Sequence, residues 1–392
     1  MKKQLKDICE TITKGTTPTT LGYNYQETGI NFVKIESING YGMFEPEKFA
    51  HISDDCNIAL RRSQLKENDI LFSIAGAIGR TAIVNKSILP ANTNQALAII
   101  RLNNSEEYNL KFLRYQLASE VVLRQTERQK QGVAQLNLSL KDIGNLELSL
   151  PSLSDQQRIA TELDTIQSAI DNKKQQLSLL DEAVKSEFVE MFGEPHDNKT
   201  FPYKLVGEFT TVTSGGTPDR KKTEYWKNGT IPWVKTTELQ NNEITEIEEF
   251  ITQKGLDESS AKIVPAGTLL IAMYGQGKTR GMTGYLGIEA STNQACACIL
   301  PSTQINQKFL WYYFILSYDK LRDLAKGGNQ PNLNGNMIKS FPVLWPPLEL
   351  QNEYVRFVQQ IDKSKFVLQQ QLQFIKKYDI MASWRKYAFI PR

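Results

Sequence analysis

The chain repeats itself, because five short segments of its first half recur in the same order in its second half. Residues 13–18 (TKGTTP) correspond to residues 213–218 (TSGGTP), and residues 93–96 and 292–295 both read TNQA. The other matching pairs are residues 30–34 with 231–235, 65–71 with 263–269, and 150–153 with 345–348. Matches in one order at a separation of about 200 residues indicate a tandem duplication, so any fold predicted for one copy must also serve the other.

The first 150 or so residues of each copy predict a mixed α/β domain. Short apolar runs bounded by Gly, Asn and Thr favour strands, and two longer apolar patterns, at residues 110–117 and 309–316, favour helices. The predicted strands lie at residues 70–74, 96–100, 268–272 and 295–300.

A heptad seam follows the α/β part of each copy. Apolar residues alternate at steps of four and three from Ile159 onward, and the same register begins again at Tyr354. A long helix of this kind cannot bury its stripe alone, so we predict that the two helices pair antiparallel, which keeps their globular domains apart. The predicted seam residues are Ile159, Leu163, Ile166, Ile170, Leu177, Leu180, Val184, Val358, Ile361, Leu368, Leu372 and Ile375.

Four polar residues interrupt this seam: Lys173 and Glu187 in the first helix, Lys365 and Asp379 in the second. Polar residues at such positions can fix the register of the pair. They can also mark places where the helices splay or contact another subunit. The sequence leaves both explanations open.

Composition and charge exclude several classes of protein. The net charge of +3 is compatible with nucleic-acid binding but does not require it. Four cysteines without a CxxC pair argue against disulfides and zinc, and two histidines leave little for histidine-based catalysis or metal binding. We expect neither a secretory signal nor a membrane span, and therefore a cytoplasmic protein.

Residues 272–279 (AMYGQGKT) fit a relaxed P-loop pattern, but their context contradicts it. A P-loop requires a helix that begins at its Lys-Thr pair, so that the backbone N–H groups hold the phosphates. The three glycines within residues 280–287 cannot sustain that helix, and the corresponding residues 73–81 have no lysine. We therefore do not predict nucleotide binding.

Glycine-rich and Thr-Pro loops carry cationic residues in both copies. Arg and Lys on such loops can bind phosphates or guanine O6 and N7, and Asn or Gln can pair with adenine. Solvated hairpins and amide-capped turns are the alternatives. Tyr225, Trp226 and Trp233 favour the core, as does Tyr274, which is also kept as a candidate contact. The candidate DNA-binding residues are Lys14, Thr16, Thr17, Lys34, Arg80, Asn94, Thr217, Arg220, Lys221, Lys222, Lys235, Tyr274, Gln276, Lys278, Arg280, Asn293 and Gln330.

Sequence motifs of the enzymes that act on DNA are absent. The chain has no Asn-Pro-Pro-Tyr or Asp-Pro-Pro-Phe segment of an amino-methyltransferase, no nuclease cluster and no helicase motif. Its acidic residues are scattered rather than paired. We therefore predict no catalytic residue, no metal ligand and no cofactor in this chain.

These features together resemble the specificity (S) subunit of Type I restriction–modification systems. The resemblance is carried by residues 215–218 (GGTP), residues 225–234 (YWKNGTIPWV), TNQA at 292–295, and Leu-x-x-Gln at 153–156 and 348–351. It covers essentially the whole chain and is stronger in the second copy, since the first copy has Asn31 and Phe32 in place of Pro232 and Trp233.

The resemblance implies an α+β chain with two target-recognition domains, residues 1–151 and 197–346, each followed by a spacer helix, residues 152–193 and 347–386. Each domain would read one half of a bipartite, asymmetric site in duplex DNA. The helix pair would set the distance between the halves and dock two modification subunits.

The same resemblance places the chemistry in the partners. The modification subunits would bind S-adenosylmethionine and methylate adenine at N6, and two restriction subunits using ATP and Mg would join where the system restricts DNA. The chain itself would be non-catalytic. The alternative is a coiled-coil scaffold that joins protein partners without recognising DNA.

Overall fold

The computed structural model describes residues 1–128, 137–275, 277–325 and 332–387. The chain divides into two compact units, one made of Met1–Lys174 with Gln370–Arg392 and the other of Gln175–Gln369. We call them the first unit and the second unit. The boundaries expected from the sequence follow the chain, whereas the units follow contacts, and each long helix contributes residues to both.

The first unit contains the first copy of the repeat. Its strands are β1 (Lys2–Gln4), β2 (Cys9–Lys14), β3 (Ile30–Val33), β4 (Ala50–Ile52), β5 (Ile70–Ser73), β6 (Thr81–Ile83), β7 (Ala91–Thr93), β8 (Leu97–Leu102) and β9 (Glu147–Ser149). Its helices are α1 (Asp54–Ala59), α2 (Leu110–Leu117), α3 (Glu120–Arg128), α4 (Leu140–Gly144) and the first part of α5 (Leu153–Phe192). The sheet orders are β2-β8-β5-β6, β4-β3-β7 and β1-β9, with β3 and β7 parallel.

Strand β5 shows why this part folds as layers. Its residues are all buried, and successive side chains of a strand point to opposite faces. Ile70 and Phe72 therefore pack with α2 and with Ile159 of α5, whereas Leu71 packs on the other face with Val33 of β3. The main sheet thus lies between a helical layer and the sheet that contains β3.

The second unit repeats this plan. Its strands are β10 (Tyr203–Leu205), β11 (Val212–Ser214), β12 (Ile231–Val234), β13 (Asn242–Ile244), β14 (Phe250–Ile251), β15 (Ile263–Val264), β16 (Leu269–Ala272), β17 (Thr283–Leu286), β18 (Ala290–Thr292), β19 (Cys296–Ile299) and β20 (Pro342–Leu344). Its helices, besides the end of α5, are α6 (Val206–Phe209), α7 (Gln253–Asp257), α8 (Gln307–Leu316), α9 (Tyr318–Asp323), α10 (Gly335–Lys339) and α11 (Leu348–Tyr387), the last of which continues into the first unit.

The sheets of the second unit correspond to those of the first. Their orders are β11-β19-β16-β17-β13, β14-β12-β18-β15 and β10-β20. The additions are β13, which pairs parallel with β17, and β15, which pairs antiparallel with β18. The mixed α/β plan expected from the sequence is therefore confirmed, in two copies.

The helices α5 and α11, each of 40 residues, pair antiparallel as predicted. In the second unit, the Tyr354 hydroxyl donates a hydrogen bond to the Val184 carbonyl (3.2 Å). Lys365 and Asp181 form an ion pair at 2.6 Å in the same unit. In the first unit, Lys173 donates to the side-chain oxygen of Gln371 (2.5 Å). Residue numbers fall along α5 as they rise along α11, which is the antiparallel arrangement.

Every predicted seam residue is buried or half-buried, and Ile159 and Leu163 pack with the α/β core of the first unit. The buried ones are Ile159, Leu163, Ile170, Val184, Val358 and Leu372; the half-buried ones are Ile166, Leu177, Leu180, Ile361, Leu368 and Ile375. Lys173 and Lys365 both reach a polar group of the other helix, which favours the explanation that polar seam residues fix the register. Glu187 is half-buried, and the side chain of Asp379 lies outside the described part of the chain.

Candidate nucleic-acid interface

The Gly-Thr-Pro loop and the Thr-Asn-Gln-Ala turn, which the repeat singled out, lie against each other in both units. In the first unit, the Thr16 N–H donates to the Thr93 carbonyl (3.1 Å). In the second unit, the Gly216 N–H donates to the Thr292 carbonyl (2.9 Å). The two motifs therefore form one structural element, a loop bonded to the last residue of strand β7 in the first unit and of strand β18 in the second.

Close packing explains the glycines in this element. A Cβ atom on Gly15 would overlap the Thr93 carbonyl, and one on Gly215 would overlap the Thr292 carbonyl. Side chains add to the contact, since the Thr17 hydroxyl bonds Gln95. In the second unit the Thr217 hydroxyl lies 3.5 Å from the Gln294 N–H. The hydroxyl groups of these two candidate threonines thus contact the neighbouring turn of their own domain.

The candidate amides Asn94 and Asn293 cap the turns in which they lie. Their side-chain oxygens accept the N–H groups of Ala96 and Ala295, both at 3.1 Å. A bidentate contact to adenine uses both the oxygen and the nitrogen of the amide. Each asparagine therefore uses one lone pair of its amide oxygen for its own turn, and the side-chain nitrogen and the remaining acceptor capacity would have to make the contact to adenine.

A pair of aromatic rings supports a cation in each unit, a lysine in the first and an arginine in the second. Tyr25 and Phe32 meet edge to face at 5.5 Å, and the Lys34 ammonium lies 4.3 Å from the Tyr25 ring. In the second unit, Trp226 and Trp233 meet at 5.0 Å. The lysine that follows the second strand, Lys235, is instead paired with two carboxylates.

These carboxylates belong to Glu248 and Glu249. Lys235 lies 2.9 Å from Glu248 and 3.0 Å from Glu249, and Glu249 also pairs with Arg220 at 2.5 Å. The Arg220 guanidinium stacks 3.8 Å from the centre of the Trp226 ring. We call Arg220, Lys235, Glu248 and Glu249 the acid-bridged cluster.

The pKa values within the cluster follow from these bonds. Hydrogen bonds to Glu248 and then to Glu249 raise the pKa of Lys235. Burial alone would raise the pKa of Glu249, but the hydrogen bonds from Arg220 and Lys235 outweigh it and hold that pKa below its ordinary value. Both shifts favour the charged forms of Lys235 and Glu249. Sequence reasoning nominated the two cations but missed the glutamates.

The hairpin loop between β16 and β17 presents further cations. Lys278 is exposed, and helix α9 fixes the loop from below: Arg322 donates to the carbonyls of Gly277 (3.0 Å) and Arg280 (2.9 Å), and the Tyr318 hydroxyl donates to that of Lys278 (2.7 Å). Arg280 itself is half-buried. Neither Tyr318 nor Arg322 was nominated from the sequence, because only the tertiary fold brings α9 to this loop.

Aromatic residues near these loops divide into two groups. Tyr225 and Trp233 are buried, at 2% and 1% exposure, and Trp226 is half-buried, as their interpretation as core residues requires. Tyr274 is 41% exposed at the start of the hairpin loop, so its interpretation as a core residue was wrong. Exposure leaves its ring available to a ligand.

In the first unit the hairpin cation Arg80 bonds its own domain. Its guanidinium donates to the carbonyls of Ile35 (3.3 Å) and Ile38 (3.0 Å), and its backbone N–H donates to the Ser73 hydroxyl (2.8 Å). The guanidinium thus holds the hairpin to the segment after β3. The two hairpins therefore differ in the cations that they expose.

The remaining candidates are exposed or lie outside the described residues. Lys14 and Lys221 are exposed, and Lys222, also exposed, bonds the Tyr225 hydroxyl (2.7 Å), which raises the pKa of its ammonium. Gln276 and Gln330 lie outside the described residues.

A buried glutamine joins each α/β domain to its long helix. In the second unit, the Gln351 side-chain oxygen accepts the Asn306 N–H at the start of α8 (2.9 Å), and its nitrogen donates to the Pro346 carbonyl (2.8 Å). Gln156 repeats both bonds in the first unit, with the Asn109 N–H and the Pro151 carbonyl, both at 3.0 Å. We call these residues the glutamine latches. They give the Leu-x-x-Gln motif a physical role.

A duplicated α/β domain latched to paired long helices is the arrangement of one known family. The chain belongs to the family described as the Type I restriction modification DNA specificity domain, whose family model matches residues 1–182 and 198–377. The resemblance drawn from the sequence is confirmed.

Individual relatives agree. The chain is similar to the Type I restriction enzyme EcoR124I/EcoR124II specificity subunit of Escherichia coli, with 29% identity over 165 residues, or 41% of this chain and 40% of that protein. It is also similar to the Type I restriction enzyme MjaIX specificity subunit of Methanocaldococcus jannaschii, with 30% identity over 172 residues, or 42% of this chain and 38% of that protein. The matches thus span about two fifths of these relatives.

Solved structures share the fold along nearly the whole chain. A structure concerning complex assembly and conformational transition of the type I R-M system matches with a TM-score of 0.60 and 17% identity, and covers 98% of this chain and 96% of its own. The S subunit of a type I restriction–modification system from M. genitalium matches with a TM-score of 0.57 and 15% identity, and covers 98% and 95%.

Among the described residues, no helix is both long and apolar enough to cross a membrane. The same part of the chain contains no group of three or more His, Cys, Asp or Glu residues placed to hold a metal ion.

Proposed function

We propose that this chain is the DNA-binding specificity subunit of a Type I restriction–modification complex and that each unit reads one half of a bipartite, asymmetric duplex site. The observation that carries the proposal is the contrast between shared scaffold and differing surface. Both units contain the same glycine loop, capped turn and glutamine latch, yet the cations around that scaffold differ. Two readers of one build and unlike surface would recognise two unlike half-sites.

The paired helices would act as the spacer. A helix of 40 residues is about 60 Å long, whereas equivalent domains on a duplex bind half-sites about 34–36 Å or a multiple of that apart. Polar contacts at Lys173 and Lys365 would keep the pair in one register. The distance between half-sites would then be a property of the helices and would not depend on which bases are read.

Chemistry would belong to the partners. Two modification subunits docked on the spacer would bind S-adenosylmethionine and methylate adenine, and restriction subunits using ATP and Mg would join where the system cleaves DNA. This chain would supply recognition alone, in the cytoplasm. Exposed cations such as Lys14 and Lys278 would bind phosphates, and affinity would fall steeply with salt as counterions are released.

Selection from a library of randomised duplexes tests this proposal. The chain in complex with its modification partner should enrich one motif with two defined parts and a fixed gap, and the same motif should carry N6-methyladenine when S-adenosylmethionine is supplied. A complex that assembles but enriches no sequence would contradict the proposal. Assembly without DNA preference would favour the protein scaffold.

A further inference from the structure

The acid-bridged cluster of the second unit has the form of a base reader. We propose that Glu248 and Glu249 determine specificity there, because they convert Arg220 and Lys235 from phosphate-binding cations into a neutral array that reads a G·C pair in the major groove. This inference rests on the proposed DNA recognition and names the residues and the base pair for one half-site.

Charge is the first argument. Three ion pairs at 2.5–3.0 Å join two cations to two carboxylates, so the formal charges of the cluster cancel. Phosphate binding depends on net positive charge and on the release of counterions, so such a cluster contributes little to it. A carboxylate beside the backbone of DNA would also repel the phosphates.

Chemical complementarity is the second argument. In the major groove, a G·C pair presents the O6 and N7 acceptors of guanine beside the N4 donor of cytosine. An arginine offers donors to guanine, and a glutamate accepts from cytosine N4. The adjacent side chains of Arg220 and Glu249 offer both kinds of group. A guanidinium has five N–H donors, of which Glu249 is contacted through Nη1, so the fork retains donors for a base.

Rigidity is the third argument. The Trp226 indole N–H donates to the Asp219 carbonyl (3.1 Å), and that of Trp233 donates to the Gly216 carbonyl (2.9 Å), so both rings hold the loop that carries Arg220. The backbone N–H of Trp233 donates to the Glu249 carbonyl (2.9 Å), which fixes the backbone of the glutamate just before strand β14. The Arg220 side chain remains 49% exposed on these two tryptophan rings. A reader fixed before binding loses less entropy on binding.

The first unit lacks this array. In the repeat, Thr20 stands where the second copy has Arg220, since residues 13–18 correspond to residues 213–218. In the first unit, strand pairing places Ala50 opposite Phe32. In the second unit, Glu249 lies opposite Trp233, which is the counterpart of Phe32. Ala50 therefore corresponds to Glu249, and Phe49 corresponds to Glu248. Only the lysine of this position is common to both copies, as Lys34 and Lys235, and Lys34 lies over the Tyr25 ring rather than between carboxylates. The cluster is therefore a difference between the two readers, as a specificity determinant must be.

The test uses the complex with its modification partner and a randomised duplex library. Arg220→Ala, Arg220→Lys and Glu249→Gln should each relax the preference at one G·C position of one half-site, by roughly five- to 150-fold, and leave the other half-site unchanged. Arg220→Lys is the sharpest variant because it keeps the charge but loses the fork. Glu249→Gln should also raise affinity for unrelated DNA, since a repulsive charge is removed.

The control is Glu224→Gln, which removes a carboxylate from an exposed Lys–Glu pair of the same unit, with Lys254 at 3.1 Å. It should leave the motif unchanged. Thermal unfolding of each variant verifies that it is folded.

Two results would overturn the inference. If Arg220→Ala weakens binding to all sequences equally and lowers the salt slope by about one, while Arg220→Lys binds like wild type, the arginine contacts phosphate. If folded variants keep the wild-type motif and affinity, the cluster is only structural. A wild-type complex with no preference would instead contradict the proposed function itself.

Discussion

Replacement of a glutamine latch by leucine offers a sharp test of how the α/β domain is attached to its helix. Gln351 is 1% exposed, and its two bonds, at 2.9 and 2.8 Å, satisfy the Asn306 N–H and the Pro346 carbonyl. Leucine has a similar volume, so Gln351→Leu leaves little cavity but removes both partners. Each polar group left unpaired in the interior costs about 1–3 kcal/mol.

The expected loss for the second unit is about 1–4 kcal/mol, because two unpaired groups cost about 2–6 kcal/mol and the apolar surface of leucine offsets about 1–2 kcal/mol of that cost. Urea unfolding followed by tryptophan fluorescence measures it, since four of the five tryptophans, at positions 226, 233, 311 and 345, lie in this unit. Gln359→Leu is the matched control, as Gln359 is exposed on the same helix and should change stability by less than about 0.5 kcal/mol. Equal stabilities of the two variants would refute the latch.

Three more predictions follow from packing and charge. Gly215→Ala forces a methyl group onto the Thr292 carbonyl and should destabilise the second unit by about 1–3 kcal/mol. Gly335→Ala, whose Cβ would meet no atom within 4 Å, should be neutral or stabilising. Equal unfolding midpoints of the two variants in urea would contradict this prediction. Asp181→Ala should cost less than about 1 kcal/mol of unfolding free energy, because that carboxylate is 65% exposed. Phe188 is fully buried against Phe309 and Tyr354, so Phe188→Ala should cost about 3–5 kcal/mol in the same assay. The reverse order of the two costs would contradict this packing of Phe188. Burial, and then the charge of Lys320, lower the pKa of His196. The unfolded chain therefore binds more protons than the folded chain as the pH falls through about 6.5, and the unfolding free energy should fall from pH 7 to pH 5 by less in His196→Asn than in wild type. Equal slopes of unfolding free energy against pH would contradict this prediction.

Local patterns made much of the fold predictable. The seam from Ile159 to Leu180 follows from a spacing that a single helix imposes on its own sequence, and α2 occupies the predicted residues 110–117. The antiparallel pairing also followed from the repeat, because two equivalent helices need a partner that buries the same stripe. The seam spacing and α2 depend on residues close in the chain, whereas the pairing was inferred from the repeat.

The candidate interface was less predictable because its contacts are between distant residues. Glu249 meets Arg220 only through the pairing of β12 with β14, and nothing near either residue indicates the bridge. Arg80 has the sequence context of an exposed hairpin cation, yet its guanidinium reaches two carbonyls after β3. Sequence thus identified cationic loops, whereas the use of each cation depended on the fold.

Lengthening the spacer tests whether the paired helices set the distance between the two half-sites. Seven residues, one heptad, would be inserted in α5 after Lys174 and in α11 after Gln369, where the helices pass between the two units and where Lys173 meets Gln371. A heptad keeps the seam and adds about 10 Å of helix, or about three base pairs of DNA.

The readout is the N6-methyladenine motif produced by the complex. We expect two unchanged half-sites separated by about three more base pairs. A folded, active complex that methylates the original motif with its original gap would contradict it.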